Sequence, residues 1–137
     1  MSRLFAIIFL FVLFLGLGLF VYFTGQQTRL GGKATVSGTY SPENSYLFAS
    51  PLLAVANNQE RIRVTVFVLD SQGVGVSGKT VFLGKTANLV TASIQPTTDS
   101  LGKAVFDIST NVPAEYVIQV DVEGQVLPQT VKVNFRP

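Results

Sequence analysis

The 137-residue sequence contains no cysteine, no histidine and no tryptophan. Without cysteine the chain can form no disulfide and carries neither a thiolate nucleophile nor a cysteine-linked lipid anchor. Without histidine it lacks the commonest general base and the commonest metal ligand. These absences exclude a histidine-based catalytic triad and a zinc site of the usual kind, so we expect no enzyme, no catalytic residue and no cofactor.

Charge is also scarce. Ten Lys and Arg residues against eight Asp and Glu residues give a net charge of +2. The basic residues are scattered along the chain and form no run, whereas a nucleic-acid-binding surface needs clustered positive charge. We therefore expect no nucleic acid among the partners.

The segment Leu4–Phe23, LFAIIFLFVLFLGLGLFVYF, is the longest apolar run in the chain. A helix of that length spans about 30 Å, the hydrocarbon thickness of a bilayer. It has no polar face, which argues against a helix lying on the membrane surface. The segment predicts one transmembrane helix in the lipid bilayer, and its length favours an uncleaved anchor over a cleaved signal peptide.

Orientation is weakly encoded, because Arg3 precedes the apolar segment while Arg29 and Lys33 follow it. We favour residues 1–3 as a short cytoplasmic tail, with the C-terminal domain extracytoplasmic in a bacterial cell envelope. Residues 24–44 are rich in Gly, Gln, Thr and Ser and are interpreted as a tether with one short strand within Ala34–Tyr40.

From residue 45 onward the apolar residues recur with period two, which is typical of strands with one buried face. Six runs show it: Ile62/Val64/Val66/Val68, Val81/Leu83, Val90/Ala92/Ile94, Ala104/Phe106/Ile108, Tyr116/Ile118/Val120/Val122 and Val131/Val133/Phe135. Turn residues separate the runs, and no helical period of useful length appears. Residues 45–137 therefore predict an all-β, immunoglobulin-like antiparallel sandwich of about seven strands.

The turn chemistry repeats along the chain. Asp70-Ser71-Gln72-Gly73 and Asp99-Ser100-Leu101-Gly102 both place Asp first and Gly fourth, a type I turn pattern. Each Gly can supply the positive φ that follows such a turn in a hairpin. Near the start of the domain, Pro51 interrupts an apolar stretch and predicts a first strand broken at that residue.

Two groups of residues carry a resemblance to a known family. The first is Asp70, Gly73, Val76, Gly78, Val81 and Leu83, and the second is Thr98-Asp99-Ser100-Leu101-Gly102-Lys103-Ala104. Their order and spacing resemble the bacterial immunoglobulin-like domains of intimins and invasins, over about residues 46–135. The resemblance implies this fold and a surface location more than an adhesin's activity, because one domain stands here where that family usually forms long arrays.

Possible chemistry is limited to two patterns. Ser100-Leu101-Gly102-Lys103 matches the SxxK spacing of Ser-Lys acylases, but that spacing works on a helix and here it falls in a predicted turn. Five acids could supply oxygen ligands to calcium, yet they are spread along the chain and are better explained as turn carboxylates: Asp70, Asp99, Asp107, Asp121 and Glu123. We expect no metal site.

Three apolar residues form a candidate partner-binding patch. Phe67 and Leu69 lie on the opposite face of their strand from the buried valines, and Phe82 is expected to join them from the next strand. The alternative is that residues 24–51 or a neighbouring strand cover these side chains. The expected partner is another protein or an envelope polymer.

Together these features predict a membrane-anchored extracytoplasmic immunoglobulin-like domain with a non-catalytic binding, adhesion or envelope-structural role. The alternative is a subunit of a pilus-like surface filament with the apolar helix in the filament core. Against that alternative, no charged processing site precedes the apolar segment and no acidic residue lies near its start.

Overall fold

The computed structural model describes residues 35–36 and 38–137. The predicted transmembrane segment Leu4–Phe23 lies outside the described residues, so the anchor remains a prediction. All regular structure in the described part is β-strand, and no helix there is long and apolar enough to cross a membrane.

Twelve short strands make up the described chain. They are β1 Thr35–Val36, β2 Tyr46–Ser50, β3 Leu53–Val55, β4 Ile62–Phe67, β5 Val76–Ser77, β6 Val81–Leu83, β7 Val90–Gln95, β8 Lys103–Ser109, β9 Ala114–Ile118, β10 Val120–Val122, β11 Gln125–Val126 and β12 Val131–Arg136.

One layer of the fold is a fully antiparallel four-stranded sheet in the order β2-β4-β8-β7. The other layer contains the three-stranded sheets β3-β12-β9 and β11-β10-β6. Only Gln119 separates β9 from β10, so these two strands continue one path. When the broken pairs β2/β3, β9/β10 and β11/β12 are counted once and the two-residue β1 and β5 are left aside, seven principal strands remain.

The first strand changes sheet at Pro51. β2 pairs antiparallel with β4, whereas β3 pairs parallel with β12 in the opposite layer. The Ser50–Pro51 peptide bond between them is cis. Proline has no N–H to donate to a ladder, which fits a position where one ladder ends and another begins. The break agrees with the one expected from the sequence.

The core lies between the layers and follows the period-two pattern. Phe106 from β8 and Phe135 from β12 are each 1% exposed, and burying such a side chain contributes about 2–3 kcal/mol. The ring of Tyr116 meets Phe135 edge-on, with centroids 5.9 Å apart. Its hydroxyl donates to the carbonyl oxygen of Val112 at 2.9 Å, the tyrosine corner that links successive strands in immunoglobulin-like sandwiches.

Strand β7 departs from the expected pattern. Val90 and Ile94 are 59% and 54% exposed, and only Ala92 of the predicted buried set is half-buried. The expectation of a buried apolar face was wrong here for two reasons. β7 is an edge strand with β8 as its neighbour, and its register with β8 shifts between Ser93 and Gln95, which turns side chains away from the core.

The two Asp-x-x-Gly turns form as predicted, and the second lies against residues that flank the first. Gly73 and Gly102 have φ angles of 79° and 73°. A Cβ on Gly102 would collide with the carbonyl oxygen of Val68, and one on Gly75 would collide with the carbonyl oxygen of Leu101. The backbone of the second turn therefore meets the segments on either side of the first turn at a separation that only glycine permits.

Residues that precede β2 are attached to the sandwich. β1 pairs parallel with β5 and lies within Ala34–Tyr40, the stretch predicted to hold a short strand. The Tyr40 hydroxyl donates to the carbonyl oxygen of Val122 at 2.8 Å, and the Ser41 N–H donates to that of Leu69 at 2.7 Å. These bonds fix the end of the predicted tether; its boundaries with the helix and the domain remain predictions.

Candidate partner-binding surface

The three residues predicted to form a patch are not brought together. Phe67 is the last residue of β4 in the four-stranded sheet. Phe82 is the middle residue of β6, which belongs to a sheet of the other layer. β4 and β6 do not form a hairpin that would place Phe67 and Phe82 side by side, because the connection between them crosses from one layer to the other.

Leu69 connects neighbouring segments of the chain through its backbone and does not present an exposed side chain to a partner. Its side chain is half-buried. Its N–H donates to the hydroxyl oxygen of Ser45 at 3.0 Å, and its carbonyl oxygen accepts from the N–H of Ser41. An isolated bridge to Gly75 holds the residue on its other side.

Phe67 instead belongs to a group of three rings that we name the aromatic cluster: Tyr46, Phe48 and Phe67. Tyr46 lies directly opposite Phe67 in the β2–β4 ladder, with ring centroids 5.3 Å apart and planes inclined by 26°. The Phe48 and Phe67 centroids are 6.3 Å apart, with an inclination of 16°. Tyr46 and Phe48 are 38% and 45% exposed, so the cluster presents aromatic surface to solvent.

Tyr46 and Phe48 were not among the predicted site residues, although the sequence contains the signal for them. In Tyr46-Leu47-Phe48-Ala49 the residues alternate, and Leu47 and Ala49 are the buried pair at 7% and 8% exposure. Period two then requires both aromatic rings to face outward. The sequence alone does not give the register between β2 and β4, which places these two rings against Phe67.

An ion pair lies on the same outer face of the sheet. Arg63 donates from Nε and Nη2 to the two carboxylate oxygens of Asp107, at 2.9 and 3.1 Å. The side chains are 58% and 10% exposed. The hydrogen bond from Arg63 lowers the pKa of Asp107, and the same bond raises the pKa of the Arg63 guanidinium. The Arg63 and Asp107 charges thus offset each other on this face.

Phe82 lies on the outer face of the other layer. It is 56% exposed and stands opposite Asp121 of β10, which in turn stands opposite Val126 of β11. Val126 is 55% exposed. Phe82 and Val126 thus flank a carboxylate, and this spot is more polar than the aromatic cluster.

The carboxylates suggested for calcium are engaged in turns or ion pairs. Asp70, Asp99 and Asp121 each accept backbone N–H groups within their own turns. Partial burial alone would raise the pKa of Asp99, but hydrogen bonds from the Lys103 and Leu101 N–H groups and the Lys103 charge outweigh it and lower that pKa. No group of three or more acidic residues in the described part is placed to hold a metal ion.

The SxxK spacing is also accounted for by the turn. Ser100 is exposed within it, and Lys103 begins β8, so the two residues do not share a helix face. The Lys103 ammonium lies 3.7 Å from the Asp99 carboxylate. It pairs with the residue that shapes the turn.

The fold and these turns agree with a known family. The family model of the bacterial Ig-like domain (group 1) matches residues 44–136. The chain belongs to this family. No curated protein sequence matches the chain significantly.

Solved structures of bacterial adhesins share the fold of this bacterial Ig-like domain. The D0-D1 domains of intimin are 25% identical with a TM-score of 0.56, and the match covers 67% of this chain and 47% of that one. The Yersinia pseudotuberculosis adhesin InvE gives 24% identity and a TM-score of 0.62, over 72% of this chain and 28% of InvE. Invasin, described as an integrin-binding protein, gives 22% and 0.61, over 73% and 20%. The chain spans less than half the length of each.

Proposed function

We propose that this protein is a membrane-anchored, extracytoplasmic Ig-like domain with a non-catalytic role in binding, adhesion or envelope structure. The observation that carries the proposal is a bacterial Ig-like domain behind the apolar segment Leu4–Phe23. A segment of that length and apolarity suits a bilayer, and its position before the domain would display the domain at a surface.

The proposed partner is another protein. Among the similar structures, an intimin fragment is in complex with the intimin-binding domain of the translocated intimin receptor, and invasin is an integrin-binding protein. In this chain the aromatic cluster is the surface best suited to such contact, because aromatic side chains are enriched at the centres of protein interfaces. Two of its three rings, Tyr46 and Phe48, are exposed, and the neighbouring Arg63 is paired with Asp107.

A filament subunit is the second candidate, supported by the same apolar segment, which would then pack in a filament core. Protease treatment of intact cells separates the two, with the mature N-terminus read by mass spectrometry. Release of the β-domain while Met1 stays in the membrane fraction supports the anchor. A mature N-terminus within or after the apolar segment contradicts it and favours a processed filament subunit or a secreted domain.

The aromatic cluster is tested with a photo-cross-linking residue placed at Phe48 of the full chain in intact cells. Val117 on β9 is the matched control, because it is also 45% exposed but lies on the opposite layer. We expect a cross-linked species at position 48 that is absent at position 117 and is removed by protease. A protease-resistant species would indicate an envelope polymer, and equal cross-linking at both positions would remove the cluster from consideration.

A further inference from the structure

Strand β7 leaves one side of its backbone open. It is the last strand in the order β2-β4-β8-β7, and among the described residues no strand pairs with its other side over Val90–Gln95. Edge strands present unpaired N–H and C=O groups that another strand can bind. The open N–H and C=O groups of β7 would therefore be paired by the extended backbone of another segment.

The sequence around β7 does little to block such pairing. No charged residue occurs from Thr86 to Thr98. Natural edge strands are usually protected by charged side chains, above all lysine, or by proline and bulges. Here the register shift between Ser93 and Gln95 and the following Pro96 leave an open edge of five residues, Val90–Ile94, with Ile94 at the shift itself.

Those five residues are nearly palindromic. Val90-Thr91-Ala92-Ser93-Ile94 reads as aliphatic β-branched, hydroxyl, small, hydroxyl and aliphatic β-branched in either direction. When two copies of one strand pair antiparallel about a two-fold axis at Ala92, Val90 lies opposite Ile94 and Thr91 lies opposite Ser93. Each side chain then meets one of its own chemical kind.

The exposure of these residues fits that arrangement. Val90 and Ile94 are 59% and 54% exposed, and Thr91 and Ser93 are exposed as well. Cross-strand aliphatic pairs and Thr–Ser pairs each stabilise a ladder, and two of each would form. On the axis, Ala92 would lie opposite Ala92 of the second copy, and two such small side chains fit side by side without a clash.

We propose that β7 of one chain pairs antiparallel with β7 of a second copy of the same chain. The pairing is centred on Ala92 and joins two four-stranded sheets into one continuous sheet of eight strands. It goes beyond the proposed function and depends neither on the membrane anchor nor on a receptor at the aromatic cluster. The self-complementary sequence of β7 selects a second copy over an unrelated extended peptide.

The test uses single cysteines in the full-length chain purified in detergent, because the protein has no cysteine of its own. Residues directly opposite in an antiparallel pair have Cα atoms close enough for a disulfide to form. Under mild oxidation, Ala92→Cys should yield a disulfide-linked dimer on a non-reducing gel. Thr91→Cys and Ser93→Cys should each yield much less alone, and yield the dimer when the two variants are mixed.

Val117→Cys is the control for random collision, since Val117 is exposed on the opposite layer. The pairing is overturned if Ala92→Cys cross-links no more than Val117→Cys. The register is overturned if Thr91→Cys alone cross-links as well as Ala92→Cys.

A second variant tests the edge itself. Val90→Lys added to Ala92→Cys places a charge against Ile94 of the other copy and should abolish the cross-linked dimer. Val117→Lys added to Ala92→Cys should leave it unchanged. Thermal unfolding of both double variants checks that the fold is intact, and a folded Val90→Lys variant that still cross-links contradicts the proposal.

Discussion

Gly102 occupies a position that both backbone geometry and space reserve for glycine. Its φ is 73°, and a Cβ there would collide with the carbonyl oxygen of Val68. An L-residue at such a φ costs about 1–2 kcal/mol, and overpacking adds about 1–3 kcal/mol. We expect Gly102→Ala to lower the free energy of unfolding by about 3 kcal/mol in urea denaturation.

Gly73 provides the matched comparison, because its φ is 79° but nothing lies within 4 Å of its would-be Cβ. Gly73→Ala should therefore cost only the backbone strain, about 1–2 kcal/mol. Equal losses for the two variants would show that the close contact of Gly102 with the Val68 carbonyl oxygen does not contribute.

Asp107 makes the free energy of unfolding depend on pH in the acidic range. Its pKa is lowered by the hydrogen bond and charge of Arg63, so between the folded and unfolded pKa values the folded state binds fewer protons than the unfolded chain. The contribution is complete above the unfolded value of about 3.9 and is lost as pH falls through the lower folded value. Because Arg63 is largely exposed, we expect Asp107→Asn to cost about 1 kcal/mol at pH 6.

Urea unfolding of wild type and Asp107→Asn at pH 6 and near pH 2 checks this expectation. The difference between the two proteins should be smaller at the lower pH, because the stabilisation is lost as pH falls through the lowered pKa of Asp107. Glu115→Gln serves as control, since the Lys132–Glu115 pair is exposed on both sides and should contribute less than about 0.5 kcal/mol. A difference between wild type and Asp107→Asn that stays constant with pH would contradict the assigned role.

At the scale of elements, Tyr116 ties β9 to the connection that precedes it. Its hydroxyl donates to Val112 and also lies 3.3 Å from Oγ1 of Thr110, which itself donates to the carbonyl oxygen of Asn88. Tyr116→Phe keeps the ring against Phe135 but removes the bonds of its hydroxyl to Val112 and Thr110. We expect a loss of about 1–2 kcal/mol by urea denaturation.

Tyr46→Phe is the control for this substitution, because Tyr46 is 38% exposed and its change should fall within about 0.5 kcal/mol. Similar losses in the two variants would show that the hydroxyl network around Thr110 does not stabilise the connection between β8 and β9.

The period-two pattern predicted the buried residues well in strands that have a neighbouring strand on both sides. The alternating apolar residues of two such strands are at most 1% exposed, as expected: Ile62, Val64 and Val66 in β4, and Ala104, Phe106 and Ile108 in β8. The same pattern failed in β7, since burial there depends on the edge position and the register shift, which are set by residues distant in sequence. Phe82 was misplaced beside Phe67 for the same reason: the layer to which each strand belongs is decided by non-local pairing.

At the scale of the whole molecule, sequence spacing was enough to predict the family. The Asp-x-x-Gly turns encode their own geometry locally, and both lie within residues 44–136, which the family model matches. The aromatic cluster could not be predicted in full, because its three rings come from two strands whose register is set by the fold. The turn residues were thus enough to predict the family, whereas the residues of the aromatic cluster could not all be predicted.

The contacts of residues 38–44 lead to a prediction about where the folded domain begins. Tyr40 packs against the core and donates to Val122, and Ser41 binds both Leu69 and Ser45. Burial raises the pKa of Tyr40, with the charges of Glu123 and Asp121 adding to it, so its hydroxyl stays protonated and able to donate near neutral pH.

A chain of residues 38–137 should therefore be more stable than one of residues 45–137, by about 2 kcal/mol from the lost burial and hydrogen bonds. Thermal and urea unfolding of the two chains measure the difference, and Tyr40→Ala in the longer chain should reproduce a large part of it. Equal stability of the two chains would place the start of the domain at residue 45, as the sequence alone predicts, and would make residues 38–44 part of the tether.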